Sequence, residues 1–498
     1  MPITLDTPTP IDPNDVQVQK MLSKLQGNIL KGHGRDHTVH IFIEFAPGSV
    51  ATKRKKLVAF ASKVVTSALK QQLETQEFQD YGIPGSLFGN LFLTAKGYRS
   101  LGFTAAQIAK AFPEPPGDTA ASNFREGMQA HADELNDPPP ANWEAGYREG
   151  KIDAMILLAD DDEGFLLRQA RALINELEEF STTLVVERGN ALRTNSGEGI
   201  EHFGYVDGRS QPIYFTTDLT KKKEGDIDKW NPTESLKIVL VPDGAVKDAE
   251  AFGSYFVFRK LEQDVRRFKM KEQELADALG LQEHERERAG AMVVGRFEDG
   301  TPLALSQTDG FIPIKENNFT FAIDPEGMKC PFQAHIRKSN PRGDIERKFH
   351  IPEEQSERPR RITRRGITYG ERNRHPDAFQ GLEDLPTKHV GLLFMCFQSS
   401  IANQFAFIQQ SWVNAEEFLL DKTGLDPVIG QAPEGGPAPI AQTWPVQWGP
   451  QADPANPGNT KPPDTKEFSF EGFVTLKGGE FFFAPSMPFL KVLAPPAP

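Results

Sequence analysis

Three segments of the chain combine residue types and spacings that suit acid–base chemistry or metal binding. In the first, GYVDG over 204–208, the carboxylate of Asp207 stands between Gly204 and Gly208. Glycine adds no side-chain bulk and permits unusual backbone angles, so this carboxylate can come close to a small ligand and exchange protons with it. The alternative is an ordinary turn, because Asp-Gly is among the commonest turn dipeptides. Taken alone, the segment favours the turn.

The second segment is AHIRKSNPR over 334–342, in which one histidine, His335, precedes several cationic residues. A neutral imidazole is a good ligand for the iron of a haem group. Nearby arginines suit haem propionates, because a guanidinium matches a carboxylate in fork geometry. The alternative is a surface loop with scattered charge.

The third segment is the basic run RPRRITRRGITYG over 358–370. Such a run is usually a solvated face or an attractor for anions. The functional interpretation is one buried arginine directed at negative charge that develops on a bound oxygen.

Two other groups of metal-binding residue types are weaker candidates. His33, His37 and His40 lie close together, but the separation of the last two puts them on opposite faces of a strand. Cys330 could bind iron as a thiolate only in an electropositive pocket, and it ranks below His335.

Composition excludes several classes of protein. A formal net charge of −13 over 498 residues argues against nucleic acid as a partner. The two cysteines, Cys330 and Cys396, are too few for a disulfide framework and indicate a reducing compartment. A single disulfide between them is the alternative. The N-terminus has neither a basic region nor an apolar core typical of a signal peptide, and no apolar run is long enough to span a membrane. We therefore expect a cytoplasmic protein without a membrane segment.

The elements that must position these residues fall into two similar halves. In the first, residues 38–45 alternate as a strand with one buried face, and residues 54–75 have helical spacing. A strand over 151–158 and a helix over 162–180 follow. A polar, uncompacted connector over 216–236 separates this half from the second.

The second half repeats the pattern. We expect strands over 254–258 and 390–398, helices over 262–279 and 401–417, and a long Pro- and Gly-rich loop over 431–464. The whole is an α+β protein of two similar units. The expected divisions are an N-terminal arm (1–20), a first domain (21–215), the connector (216–236) and a second domain (237–498).

Read together, these motifs resemble the dye-decolourising peroxidase family, in its larger fungal and cyanobacterial type. NILKGHGR, GLLFMCFQSSI and TLKGGEFFFAPS add to the three segments above, and the order along the chain is the family's order. The resemblance runs from about residue 22 to about residue 490. It implies two ferredoxin-like units, each an antiparallel sheet with packed helices, that form a dimeric α/β-barrel-like fold with haem in the second unit. Thr368 departs from the family, in which proline is frequent at that position.

The resemblance also implies roles for the motif residues. His335 matches the proximal iron ligand, and Asp207 matches the aspartate on the opposite, distal face. Arg364 matches the distal arginine, and Arg365 takes that role if the register is displaced by one residue.

Five further positions match residues around the haem in the family. Arg342 and His202 match positions near the propionates, and Leu392 and Phe394 match apolar residues of the distal pocket. Asp426 is expected to accept the other ring N–H of His335, which would fix the tautomer of the imidazole.

The function that this resemblance implies is reduction of hydrogen peroxide by one haem b per chain, with oxidation of dyes, phenols or similar one-electron donors. The alternative is a protein that binds or handles haem without significant peroxidase turnover. Aromatic residues could carry electrons to bulky donors, and the candidates are Trp143, Trp230, Trp412, Trp444, Trp448, Tyr147 and Tyr255. The natural reductant and the oligomeric state stay open.

Overall fold

The computed structural model describes residues 3–112, 121–207, 210–222, 228–310, 317–376, 378, 381–456 and 458–495. Gly208, the last residue of GYVDG, lies outside the described residues, and so does the stretch 223–227 of the expected connector.

Most of the strands belong to one antiparallel sheet. The strands of the described residues are β1 His37–Phe45, β2 Phe88–Leu93, β3 Ala154–Asp160, β4 Ser181–Asn190, β5 Leu192–Arg193, β6 Gly199–Ile200, β7 Val241–Pro242, β8 Phe252–Gln263, β9 Thr363–Arg364, β10 Ile367–Tyr369, β11 Gly391–Gln398, β12 Gln442–Pro445, β13 Gln451–Ala452, β14 Thr460–Lys461, β15 Thr465–Phe468 and β16 Val474–Ala484. The ten-stranded sheet runs β10-β11-β8-β16-β2-β3-β1-β4, with β7 paired to β8 and β9 paired to β11.

Helices pack on the outside of this sheet and form a separate layer over the second half. The α-helices of the described residues are α1 Val16–Lys24, α2 Val50–Val64, α3 Ala68–Tyr81, α4 Ala95–Ser100, α5 Ala105–Ala111, α6 Ala121–Glu126, α7 Glu163–Leu177, α8 Thr216–Lys222, α9 Val265–Leu279, α10 Glu287–Val294, α11 His335–Ser339, α12 Asp344–Phe349, α13 Glu353–Ser356 and α14 Met487–Leu490. Among these residues, no helix has both the length and the apolar character that crossing a bilayer requires.

The first half has the β-α-β-β-α-β order of a ferredoxin-like unit, with strand order β2-β3-β1-β4. The expectation of one buried face for β1 is wrong, because both faces are buried. Its residues Val39, Ile41 and Ile43 are at most 1% exposed, and so are His40 and Phe42 on the other face. One face meets helices, and the other meets the interior of a barrel.

The barrel forms because the two ends of the sheet approach each other. The hydroxyl of Thr368 on β10 donates to the carbonyl of Asn190 on β4. Inside, aromatic rings of the two halves share one core. Phe92 stacks on Phe256 with ring centroids 4.2 Å apart, and Phe42 meets Phe258 at 4.8 Å. The expected α+β fold of two ferredoxin-like units in a barrel-like arrangement is thus confirmed.

Several expected elements differ in detail. The helical spacing over 54–75 belongs to two helices, α2 and α3, because Ser67 caps a new helix start with its side chain. The described part of the expected connector is folded, since it contains α8 and the buried residues Trp230 and Glu234.

The expected helix over 401–417 is a π-helix in two parts, Ala402–Ala406 and Ile408–Val413. The amide of Ala406 donates to the carbonyl of Ile401, five residues back, over 2.8 Å. Wide turns of this kind often lie at functional sites. Here the π-helix forms part of the wall of the cavity described next.

Candidate active site

A cavity of about 270 Å³ lies between the sheet of the second half and its helical layer. The sheet register decides which side chains face it. On β8, Arg259, Leu261 and Gln263 line the cavity, and β11 contributes Leu392 and Phe394. Phe394 lies opposite Arg259 and Leu392 opposite Leu261, and paired residues in antiparallel strands share a face.

His335 lies on the helical wall of this cavity, at the first residue of α11. Its Nδ1 is 2.8 Å from Oδ2 of Asp426, whose side chain is fully buried. The other oxygen of Asp426 accepts from the amides of Val428 at 2.8 Å and Ile429 at 3.0 Å. The carboxylate therefore has a fixed orientation, and Nε2 is the ring nitrogen of His335 that is left for the cavity.

Charge couples the two groups of this pair. Burial by itself lowers the pKa of His335, but the charge and hydrogen bond of Asp426 outweigh burial and raise that pKa above its usual value. Burial likewise tends to raise the pKa of Asp426, but His335 and the two amides hold it below its usual value. The carboxylate is therefore ionised at neutral pH and favours the tautomer with a proton on Nδ1.

The position of α11 follows from its sequence. The helix ends at Ser339 because Asn340 precedes Pro341, and a residue before proline is disfavoured in the helical conformation. The side chain of Arg337 is fully buried, and its guanidinium donates to Asp344 at 2.7 Å and to Asp324 at 3.0 Å. These buried charge pairs fix the helix, and hence His335, against the rest of the helical layer.

Asp207 and Arg364 meet at the cavity, although 157 residues separate them in the chain. Nη1 of Arg364 donates to Oδ1 of Asp207 over 2.9 Å. The side chains are 31% and 40% exposed for Arg364 and Asp207, so a small ligand can reach both. Asp207, Arg364 and His335 line the same cavity, so the imidazole and the ion pair surround one space.

A small hairpin holds the backbone of Asp207. Its amide donates to the carbonyl of Gly199 at 2.9 Å, and Ile200 bridges to Val206. At the tip of the hairpin, the carboxylate of Glu201 accepts hydrogen bonds from the amides of Phe203 at 2.7 Å and Tyr205 at 3.1 Å.

The sheet register separates the two adjacent arginines of the basic run. Arg364 lies opposite Cys396, on the face of β11 that carries Leu392 and Phe394. Arg365 points to the other face, where its guanidinium donates to the carbonyls of Asn28 at 2.6 Å and Ile29 at 3.0 Å. Arg364 therefore lines the cavity, and Arg365 binds the N-terminal segment.

One end of the cavity is rich in arginine. Arg342 lies 4.0 Å from the ring centroid of Trp230 and donates to the hydroxyl of Ser210 at 3.1 Å. Arg296 and Arg361 also line this end. Such a concentration of guanidinium groups suits the carboxylates of a cofactor.

Two of the predicted residues do not line the cavity. Asp426 lies behind His335. His202 is buried, and its Nε2 is 2.8 Å from the carbonyl of Tyr369. Burial lowers the pKa of His202 to about 4, so this imidazole is neutral at physiological pH. The geometry therefore connects His202 to β10, with no contact to the cavity.

The weaker candidates give no metal site. Among the described residues, no group of three or more His, Cys, Asp or Glu side chains is arranged to hold a metal ion. His37 pairs with Asn190 at 2.8 Å, and His40 is fully buried in the barrel. Both cysteines are free and buried, and burial raises the pKa of Cys330 to about 12, which opposes a thiolate.

Sequence reasoning missed some of the residues at the cavity. Glu201, Arg259 and Asp137 line it, and the last two form a buried ion pair with a 2.7 Å hydrogen bond. Glu201 lies shortly before the GYVDG motif. Arg259 directly follows the expected strand 254–258, so a strand extended past residue 258 would have included Arg259.

Of the aromatic candidates, Trp230 and Trp412 line the cavity. Trp143, Trp444, Tyr147 and Tyr255 are buried elsewhere, and Trp448 is half-buried.

The chemistry of these walls fits a haem group. A free imidazole nitrogen faces apolar side chains on the sheet, and guanidinium groups stand at one end. The Nε1 of Trp230 is a buried donor at this arginine-rich end, and it has no hydrogen-bond partner among the described residues. An iron ligand, an apolar slot and donors for carboxylates are the parts that haem binding requires.

Comparison with known proteins agrees with this site. The model of the DyP dimeric alpha+beta barrel domain matches residues 24–193. A multifunctional dye peroxidase from Amycolatopsis sp. is 42% identical over 501 residues, which cover 99% of this chain and 100% of that protein.

Solved structures show the same relationship. The crystal structure of a DyP-type peroxidase from Anabaena sp. is 40% identical with a TM-score of 0.85, and the match covers 97% of both chains. A dye-decolorizing peroxidase in complex with 2,6-dimethoxyphenol is 25% identical with a TM-score of 0.70, over 95% of this chain and 99% of that one. This chain belongs to the dye-decolourising peroxidase family, whose members depend on haem.

Proposed function

We propose that this protein is a peroxidase in which His335 binds the iron of one haem b per chain and Asp207 and Arg364 handle hydrogen peroxide. The observation that carries the proposal is the arrangement of the His335–Asp426 pair and the Asp207–Arg364 pair around one cavity. Haem, when bound, supplies the redox-active iron that takes electrons from the donor and passes them to peroxide.

Asp207 moves the proton that peroxide cleavage requires. Its carboxylate takes a proton from the inner oxygen of hydrogen peroxide and delivers one to the outer oxygen, which leaves as water. Arg364 holds the carboxylate in place by its 2.9 Å hydrogen bond and can donate to negative charge on the departing oxygen. A protein that only stores or releases haem needs neither group, and their pairing therefore favours catalysis over haem handling.

The remaining predicted residues would hold the cofactor. Leu392 and Phe394 would cover its distal face, and Arg342, with Trp230 beside it, would meet the propionates. The contact of His202 with the carbonyl of Tyr369 supports β10 instead, so we propose an indirect role for it.

Phenols and aromatic dyes are the proposed donors. The relative bound to 2,6-dimethoxyphenol supports this substrate class.

We also propose that the protein works in a reducing compartment, which its two free, buried cysteines support. The proposed domain limits are residues 20, 215 and 236.

The test compares wild type with Asp207→Asn, Arg364→Leu and His335→Ala. Each is loaded with haem, its absorption spectrum is recorded, and it is mixed with peroxide in a stopped-flow spectrometer. We expect the reaction of Asp207→Asn to slow by about 10²–10⁴-fold and that of Arg364→Leu by about 10²–10³-fold, with haem retained. His335→Ala should lose the spectrum of the histidine-ligated haem.

The haem-handling alternative predicts another result. In that case peroxide bleaches the haem of wild type at the same rate as that of the two distal variants, and 2,6-dimethoxyphenol is not oxidised catalytically.

A further inference from the structure

Lys338 is a buried lysine whose charge the proposed mechanism does not use. Its side chain is 0% exposed, and it lies one turn after His335 on the same helix, α11. Among the described residues, no carboxylate is within ion-pair distance of its ammonium. Burial of an unpaired cation is costly, so its retention requires compensating contacts.

Backbone carbonyls provide these contacts. Nζ of Lys338 donates to the carbonyls of Ala415 at 2.5 Å and Gly424 at 2.6 Å, with a longer contact of 3.4 Å to Val413. Carbonyls only accept, and an ammonium has three N–H donors whereas a neutral amine has two. The three contacts therefore match the charged form.

These carbonyls belong to the segment that carries Asp426. The amide of Asp426 itself donates to the carbonyl of Val413 at 3.0 Å. Two side chains of α11 thus hold one segment, residues 413–426: His335 through the Asp426 carboxylate and Lys338 through the backbone. The spacing of three residues puts both on the same side of the helix.

We propose that Lys338 is a positioning residue: its contacts with three backbone carbonyls fix the segment 413–426, and its positive charge acts on the haem site beside His335. This inference rests on the proposed role of His335 as iron ligand. Asp426 and Glu416 are the acidic groups whose charge acts on Lys338. Burial lowers the pKa of Lys338 to about 7, and those acidic groups oppose this effect.

Electrostatics gives the direction in which the charge of Lys338 shifts the reduction potential of the haem. Lys338 follows His335 by one turn on α11, so its ammonium is a positive charge near the proposed iron ligand. Loss of a nearby positive charge favours the ferric over the ferrous state, because the ferric state carries one more positive charge. Removal of the charge should therefore lower the reduction potential.

The experiment measures the ferric/ferrous midpoint potential of the haem-loaded protein for wild type, Lys338→Met and Lys338→Gln at about pH 6, where the ammonium of Lys338 is charged. We expect the equilibrium constant for reduction to fall on the order of tenfold in both variants. Hydrogen exchange of the haem-free protein is the second measurement. The amides of 413–426 should lose protection in Lys338→Met, whereas glutamine keeps two N–H donors and preserves most of it.

Lys422→Met is the matched control, because it removes the same charge from an exposed position of the same segment. Its potential and exchange should equal those of wild type. An unchanged potential in a folded, haem-bound Lys338→Met or Lys338→Gln overturns the inference. Failure of both variants to fold also overturns it, since Lys338 would then be needed for folding as a whole.

The His335→Ala spectrum separates this outcome from failure of the proposed function. If His335→Ala binds haem with the wild-type spectrum, the ligand assignment fails. If it loses that spectrum while the Lys338 variants keep the wild-type potential, only the role of Lys338 fails.

Discussion

The hydrogen bond between His335 and Asp426 joins a ring that lines the cavity to a carboxylate with no solvent exposure. Two backbone amides hold the second oxygen of that carboxylate, so it cannot rotate away. A histidine with such a partner has one tautomer and one ring plane. The pair therefore presents Nε2 to the cavity in a fixed direction.

Replacement of Asp426 by asparagine tests whether the charge of this carboxylate supports the role of His335. The variant keeps the shape but loses the charge, and we expect haem affinity or peroxidase activity to fall about 10–100-fold. Haem titration followed by absorbance measures the affinity. Asp421→Asn, at an exposed position of the same segment, is the control. Equal affinities of the two variants would contradict the role of Asp426.

At the scale of elements, the register of β8, β9, β11 and β16 selects the cavity wall. A shift of one residue in β9 would exchange Arg364 for Arg365 and remove the guanidinium from Asp207. β16 is joined to the N-terminal half by Glu480, whose Oε1 accepts from the amides of Met128 and Phe481, both at 2.8 Å.

Burial raises the pKa of Glu480 to about 7, which gives this link a pH dependence. The folded state then binds a proton that the unfolded state releases near pH 4.5, so this group destabilises the fold as pH rises from about 4.5 to 7. Glu480→Gln keeps the Oε1 acceptor and has no charge. We expect its unfolding free energy to exceed that of wild type increasingly above about pH 5.

Urea unfolding at a series of pH values measures this difference. Glu467→Gln, on the exposed face of β15, is the control and should follow wild type. A constant difference between Glu480→Gln and wild type from about pH 4.5 to about pH 8 would show that Glu480 does not titrate in this range.

At the scale of the whole molecule, the two halves are joined by a buried ion pair. Asp137, from the first half, and Arg259, on β8, are 0% and 4% exposed and form two hydrogen bonds. Removal of one partner leaves the other charge buried. We expect Asp137→Asn to lower the unfolding free energy by about 3–5 kcal/mol.

The double variant Asp137→Leu/Arg259→Met should be less destabilised than Asp137→Asn, because neither charge is then left alone. Urea unfolding of all variants provides the comparison. If the double variant is the least stable, packing around the pair matters more than its charge.

Barrel closure is a second property of the whole molecule. The hydroxyl of Thr368 on β10 donates a hydrogen bond to the carbonyl of Asn190 on β4, at the far edge of the sheet. Thr368→Val removes the donor and keeps the shape, and we expect a loss of about 1 kcal/mol of unfolding free energy. Thr475→Val, at an exposed position of β16, should change it by less than about 0.5 kcal/mol. Equal effects would contradict a role in closure.

The sequence by itself determined much of this protein. The strands β8 and β11 and the helix α7 follow from local sequence, because short runs of apolar and aromatic residues favour strands and an apolar stripe that recurs about every 3.6 residues favours a helix. The motifs around Asp207, His335 and Arg364 are visible for the same reason: their residue types and short spacings are local. Together with their order along the chain, they are enough to indicate the family and the fold class.

Only the tertiary structure decided which of these residues meet. His335 and Asp426 are 91 residues apart and Asp207 and Arg364 are 157 apart, and contacts over such distances depend on the topology of the sheet. The choice between Arg364 and Arg365 required the pairing register with β11, since adjacent residues face opposite sides. The motif of His202 predicts a place near the propionates, but its side chain turns toward β10, because burial and a backbone carbonyl decide its direction.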